Sequence, residues 1–100
     1  MKKDGSKPCQ DVIRVYLTVV KRIIDGYRGH RKTICTSDVI RDYCAGFYSN
    51  RGIPASLSFN AQFGKLLKAN SAFLGIKEVA ANVSIKDDLG HPTSASKWEI

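Results

Sequence analysis

The chain is poor in the residues that staple a fold or run chemistry: its 100 residues include only three cysteines, two histidines, three prolines and one tryptophan. Cys9, Cys35 and Cys44 are odd in number, lie far apart and form no C-x-x-C pair, while His30 and His91 are isolated from them. Zinc needs three or four clustered ligands, so no metal site is expected. An odd thiol count with no apolar segment after MKKDGSK points to a reducing compartment, with the cysteines acting as small core hydrophobes. No run approaches the roughly eighteen apolar residues of a membrane span, so no membrane partner is expected. The expected location is cytoplasmic, including association with a bacterial or phage nucleoid, or else nuclear.

Catalytic signatures are equally scarce. There is no phosphate loop, HExxH, nucleophile elbow or pair of carboxylates at working spacing, and the one Gly-rich spot, GYRG, is too short for a dinucleotide loop. The expectation is a protein that is not an enzyme and carries no cofactor. A lone His in a basic loop reads as a phosphate neighbour or as solvated.

What is abundant is positive charge. Sixteen Lys and Arg against nine Asp and Glu give +7, with a sequence pI near 9.5. Such an excess favours a polyanionic partner, because Lys and Arg that neutralise phosphates release condensed counterions. Hydrophobic residues at 43% suffice for one modest core in a single domain of this length. Residues 1–8 read as a polar, frayed tail and 9–100 as the folded domain.

Periodicity places the elements. From Cys9 to Gly26, Val12, Ile13, Tyr16, Leu17, Val20, Ile23 and Ile24 recur at three and four, the stripe of a first helix that starts after Pro8 and ends at the Gly26/Gly29 pair. A short strand is expected around Lys32–Ile34. Thr36-Ser37-Asp38 offers a cap for a second helix, VIRDYCAGFYSN, which Asn50-Arg51-Gly52 and Ile53-Pro54 stop. Ser56 or Ser58 caps a third helix, FNAQFGKLLKAN, with Phe59, Phe63, Leu66, Leu67 and Asn70 on its inner arc and Ala61, Gly64, Lys65 and Lys68 on its outer arc. IKEVAANVSI reads as a strand, Lys86 to Ser94 as a turn-rich loop and SKWEI as the closing strand, with Trp98 a core anchor.

This order, helix, strand, helix, helix, strand, loop, strand, is that of a winged helix: an α+β fold of three helices and a small antiparallel sheet, with the last loop as the wing. In that arrangement Lys65 and Lys68, with Asn60 and Gln62 nearer the helix start, face a duplex, where such side chains reach phosphates and base edges. Read without a ligand, the same lysines are a solvated face. Gly64 costs roughly 1 kcal/mol inside a helix, which implies close approach by a ligand or close packing against the first helix. Arg28, Arg31 and Lys32 grip the nucleic-acid backbone or form a solvated connector. Lys86, His91 and Lys97, with Lys77, bracket a flexible loop.

The stretch Ala61-Gln62-Phe63-Gly64-Lys65-Leu66-Leu67-Lys68 resembles the A-x-F-G-K-L-[IL]-[RK] core of the third helix in regulatory factor X (RFX) winged-helix domains. The likeness continues weakly to Ser96-Lys97-Trp98, where that family has Ser-Lys-Tyr. Winged helices attached to replication proteins of phages and mobile elements end in a similar strand. The resemblance implies double-stranded DNA binding, in transcription regulation or replication, with Lys65, Lys68 and the span from Lys86 to Lys97 as contacts. The sequence departs from the family at the loop tip, where Asp87 and Asp88 form an acidic pair and the arginine-rich pattern is missing. The alternative expectation is a winged helix that docks a protein through an apolar patch around Tyr48, Ile53 and Leu57, or one that forms a weak homodimer.

Overall fold

The computed structural model describes residues 15–49 and 58–100. Within them lie α1 (Leu17–Tyr27), β1 (Thr33–Cys35), α2 (Thr36–Cys44), α3 (Phe59–Ala69), α4 (Ser71–Leu74), β2 (Lys77–Lys86) and β3 (Pro92–Glu99). The described residues form a small α+β domain of four helices and one antiparallel three-stranded sheet of order β1-β3-β2. The polar leader 1–8 and the segment 50–57, with Ile53, Leu57 and the candidate cap Ser56, lie outside the described residues.

The core forms where the apolar stripes converge. Val20 and Ile24 of α1, Val39 and Ile40 of α2, and Phe63 and Leu67 of α3 close over Ile34 and Trp98 of the sheet. Ile34 and Trp98 are paired across β1 and β3, so the strand alternation turns both toward the helices. The indole N–H of Trp98 donates to Thr36 Oγ1 at 2.8 Å, which satisfies the one polar atom that this buried ring carries.

Several boundaries differ from the sequence expectation. The first helix begins at Leu17; Val15 and Tyr16 precede it, and positions 9–14 lie outside the described residues. Tyr16 is extended and largely exposed rather than part of the buried stripe, because its N–H donates to Tyr43 Oη while its carbonyl takes the first helical N–H groups. The first strand is Thr33–Cys35, one residue later than expected. The second helix starts at Thr36, capped by Cys35, whose N–H donates to the Asp38 carboxylate at 2.9 Å. It ends at Ala45, which has φ 63, instead of running on to Asn50.

Phe47 is nonetheless buried, beyond the end of α2. Cys44 is exposed and Cys35 half-buried, so neither is the fully buried core residue expected; both are free thiols. Ser58 caps α3 by accepting the N–H of Ala61 at 3.3 Å. The single turn α4 has no counterpart in the sequence reading, which expected three helices. It closes at Gly75, whose φ of 71 favours glycine. Arg28 staples α1 to this turn: its guanidinium donates to the Leu74 and Gly75 carbonyls at 2.7 and 3.3 Å and to Asp25 at 2.8 Å.

The closing strand begins at Pro92, four residues before the expected SKWEI, so the loop expected over 86–94 shrinks to a turn at 87–91. The register slips between Glu78 and Val83, and Asn82 there takes the left-handed φ of 55 that Asn tolerates. Such a bulge bends the strand. No helix among the described residues is long and apolar enough to cross a membrane.

Candidate functional site

A cleft of about 510 Å³ runs between α3 and the β2–β3 hairpin. Its helical bank carries Asn60, Ala61, Gly64, Lys65 and Lys68; the hairpin bank carries Glu78, Asn82, Thr93, Ser94 and Ser96, and Ile40, Phe47 and Trp98 also line it. One bank therefore carries two lysines and the other a carboxylate and hydroxyl residues, with apolar side chains between them.

Gly64 sits in the middle of the helical bank. A Cβ built there meets nothing within 4 Å among the described residues, so packing against α1 does not account for this glycine, which lines the cleft. Lys65 and Lys68 are both exposed. Lys68 Nζ lies 3.7 Å from Glu78 Oε1, and the other carboxylate oxygen of Glu78 accepts the Ser96 hydroxyl at 2.6 Å. Asn60 is anchored through its amide, which donates to the Tyr48 carbonyl at 2.7 Å. Gln62 departs from the expectation of a groove-facing side chain. It is only 8% exposed and lies beside Phe63 in the buried part of the helix.

The remaining expected contacts fall in separate places. Lys86 ends β2 at the hairpin turn. Lys97 stands between Ser96, which faces the cleft, and Trp98, which faces the core, so the pleat sends it to the opposite side of the sheet. There it faces Cys35, its partner across the ladder. Arg31 lies 3.5 Å from Asp38 and over the Tyr27 ring, Lys32 is exposed, and Arg28 is committed to α4. The basic cluster Arg28, Arg31 and Lys32 is thus not part of the cleft.

The acidic pair at the hairpin tip does work that the sequence reading missed. Asp87 accepts the main-chain N–H groups of Ser49, Leu89 and His91 at 2.8, 2.9 and 2.8 Å, and its carboxylate lies 3.4 Å from His91 Nδ1. Asp88 accepts the Phe47 N–H and the Arg41 Nε–H, each at 2.9 Å. Main-chain donors, Ser49 foremost for Asp87 and Phe47 for Asp88, hold both carboxyls below the usual carboxylate range. The loop expected to be flexible is instead latched to the segment after α2, and His91 is engaged by that latch. An Asp two residues before the Leu89-Gly90 turn is an Asx-turn signal that could have revealed half of it. The partners on Phe47 and Ser49 are long-range.

Among the described residues no group of three or more His, Cys, Asp or Glu is arranged to hold a metal ion. Compared with protein-family models, with curated proteins and with solved structures, the chain matches none.

Proposed function

We propose that the chain is a winged-helix module, RFX-like in its third helix, that binds double-stranded DNA through the cleft between α3 and the β2–β3 hairpin, in transcription regulation or replication. The element order, with the last strand central in the sheet, supports the fold reading. The net charge of +7 supports a phosphate-bearing partner. The observation that carries the proposal is Gly64: a mid-helix glycine that no neighbour among the described residues requires, opening on a cleft that also carries two lysines and hairpin hydroxyls. A backbone approaching α3 there meets no side chain.

On this reading Lys65 and Lys68 meet phosphates, Asn60 lies on the same bank, and Ser94 donates from the hairpin. Lys86 extends the positive rim at the turn. Gln62 and Arg28 serve the fold. Arg31, Lys32 and Lys97 lie outside the binding cleft.

Anisotropy of a labelled random duplex, titrated over a range of salt, tests the proposal. Affinity is expected to fall linearly in log salt, and Lys65→Ala/Lys68→Ala to reduce the slope by about two, one per phosphate contact. Lys97→Ala, on the far face, is expected to leave the slope unchanged. No binding at low salt would remove the DNA reading and leave a docking module, for which the half-exposed Tyr48 is the described apolar contact.

A further inference from the structure

Glu78 is the one carboxylate among the described residues that line the cleft. It lies on β2, opposite Trp98 in the ladder, with its side chain 26% exposed. Ser96 donates to one of its oxygens at 2.6 Å, which holds the carboxylate in place, and the other oxygen faces the Lys68 ammonium at 3.7 Å. Lys68 itself is 75% exposed, a long side chain free to swing. A fixed anion therefore faces a mobile cation across the cleft.

We infer that Glu78 is an internal stand-in for phosphate, a gate that occupies Lys68 in the free protein and that a nucleic-acid phosphate must displace. This rests on the DNA reading of the cleft and adds its regulation. At a separation of 3.7 Å the two charges attract, and a phosphate that is to pair with Lys68 must first draw the ammonium away from Glu78. Ligand binding then exchanges one ion pair for another instead of creating a new one. Affinity at this position is held below what the lysine alone would give. The hydrogen bond from Ser96 is what makes the gate work, because a carboxylate without it would turn away from the incoming charge.

The test is a double-mutant cycle on the intact chain, again by anisotropy with a labelled random duplex. Glu78→Gln keeps an acceptor for Ser96 and removes the charge. It is expected to tighten binding about two- to fivefold at low salt, the range of an exposed ion pair, with the gain fading as salt rises. In the Lys68→Ala background the same substitution is expected to give little or no gain. Equal tightening in both backgrounds would overturn the inference, since Glu78 would then act on the duplex directly and not through Lys68. Unchanged affinity in Glu78→Gln, with the wild-type melting temperature retained, would also overturn it. If the wild-type chain binds no duplex at low salt, the DNA reading falls and takes this inference with it, an outcome separable from the other two because it appears before any substitution is made.

Discussion

Asp88 and Phe47 are joined twice: the Asp88 N–H donates to the Phe47 carbonyl and the Phe47 N–H donates to the Asp88 carboxylate, both at 2.9 Å. One hairpin residue thereby closes a small ring with a residue 41 positions earlier. The adjacent Asp87 accepts the Ser49 N–H at 2.8 Å, while its own N–H donates to the His91 carbonyl at 2.9 Å. Together they fix the hairpin relative to the body on which α3 is mounted, and so fix the width of the cleft.

Asp87→Asn and Asp88→Asn are each expected to lower the melting temperature, by about 5–15 °C, because charge-assisted acceptors of main-chain N–H groups are lost. The pH dependence follows from depressed folded values. The contribution of these carboxylates is complete above the ordinary value of 3.8 and is lost as pH falls toward their lower folded values. Circular-dichroism melts between pH 2 and pH 6 read it out: the wild type should lose stability in acid more steeply than Asp87→Asn. Parallel curves would mean that the Asp87 carboxylate contributes nothing to the latch.

Gly64→Ala separates folding from binding. With nothing among the described residues within 4 Å of the new Cβ, alanine should raise stability by up to about 1 kcal/mol in urea denaturation. If a ligand backbone approaches here, the same change weakens duplex binding. A variant that is more stable and binds as before would assign the glycine to neither role.

Thr36→Val removes the acceptor of the Trp98 indole while conserving volume. A buried donor left without a partner costs about 1–3 kcal/mol, so unfolding should shift to lower urea by that amount. Trp98 is the only tryptophan, and its fluorescence reports the transition directly. An unchanged midpoint would mean the indole finds a new acceptor.

Tyr27 donates to Asp42 at 2.6 Å, and burial, followed by this carboxylate, pushes its phenol up to about 12. A raised folded value stabilises the fold below the ordinary value of 10 and is lost as pH rises through about 12. Ultraviolet titration of the four tyrosines should show one late phase, absent in Tyr27→Phe. A single phase near 10 in the wild type would contradict the contact.

The third helix was legible because its stripe is local: Phe63 and Leu67 recur at four and Ser58 precedes them as a cap. Strand identity was legible for the same reason. What misled was any residue whose place is decided from afar. Phe47 follows Tyr43 at helical spacing, yet the helix ends at Ala45 and Phe47 is held by Asp88. Gln62 borders the buried stripe, and whether a flank is covered depends on what lies over it, which α3 does not encode. Thr93 to Ser96 are too small and polar to announce a strand, and they become one by pairing with β2. Of the site, the lysines of α3 were visible in advance; Glu78 and the aspartate latch emerge only once the hairpin is folded back.

The sheet places its last-made strand between the other two. As the chain leaves the ribosome, β1 and β2 have no partner in each other, and the hydrogen bond between Trp98 and Thr36 spans 62 positions. The nascent chain up to β2 is therefore a set of helices with unpaired strand edges, closed in one late step when β3 emerges. Such edges are open to aggregation and proteolysis in that interval, so substitutions in β3 should reduce the yield of folded protein in cells before they alter the properties of what does fold.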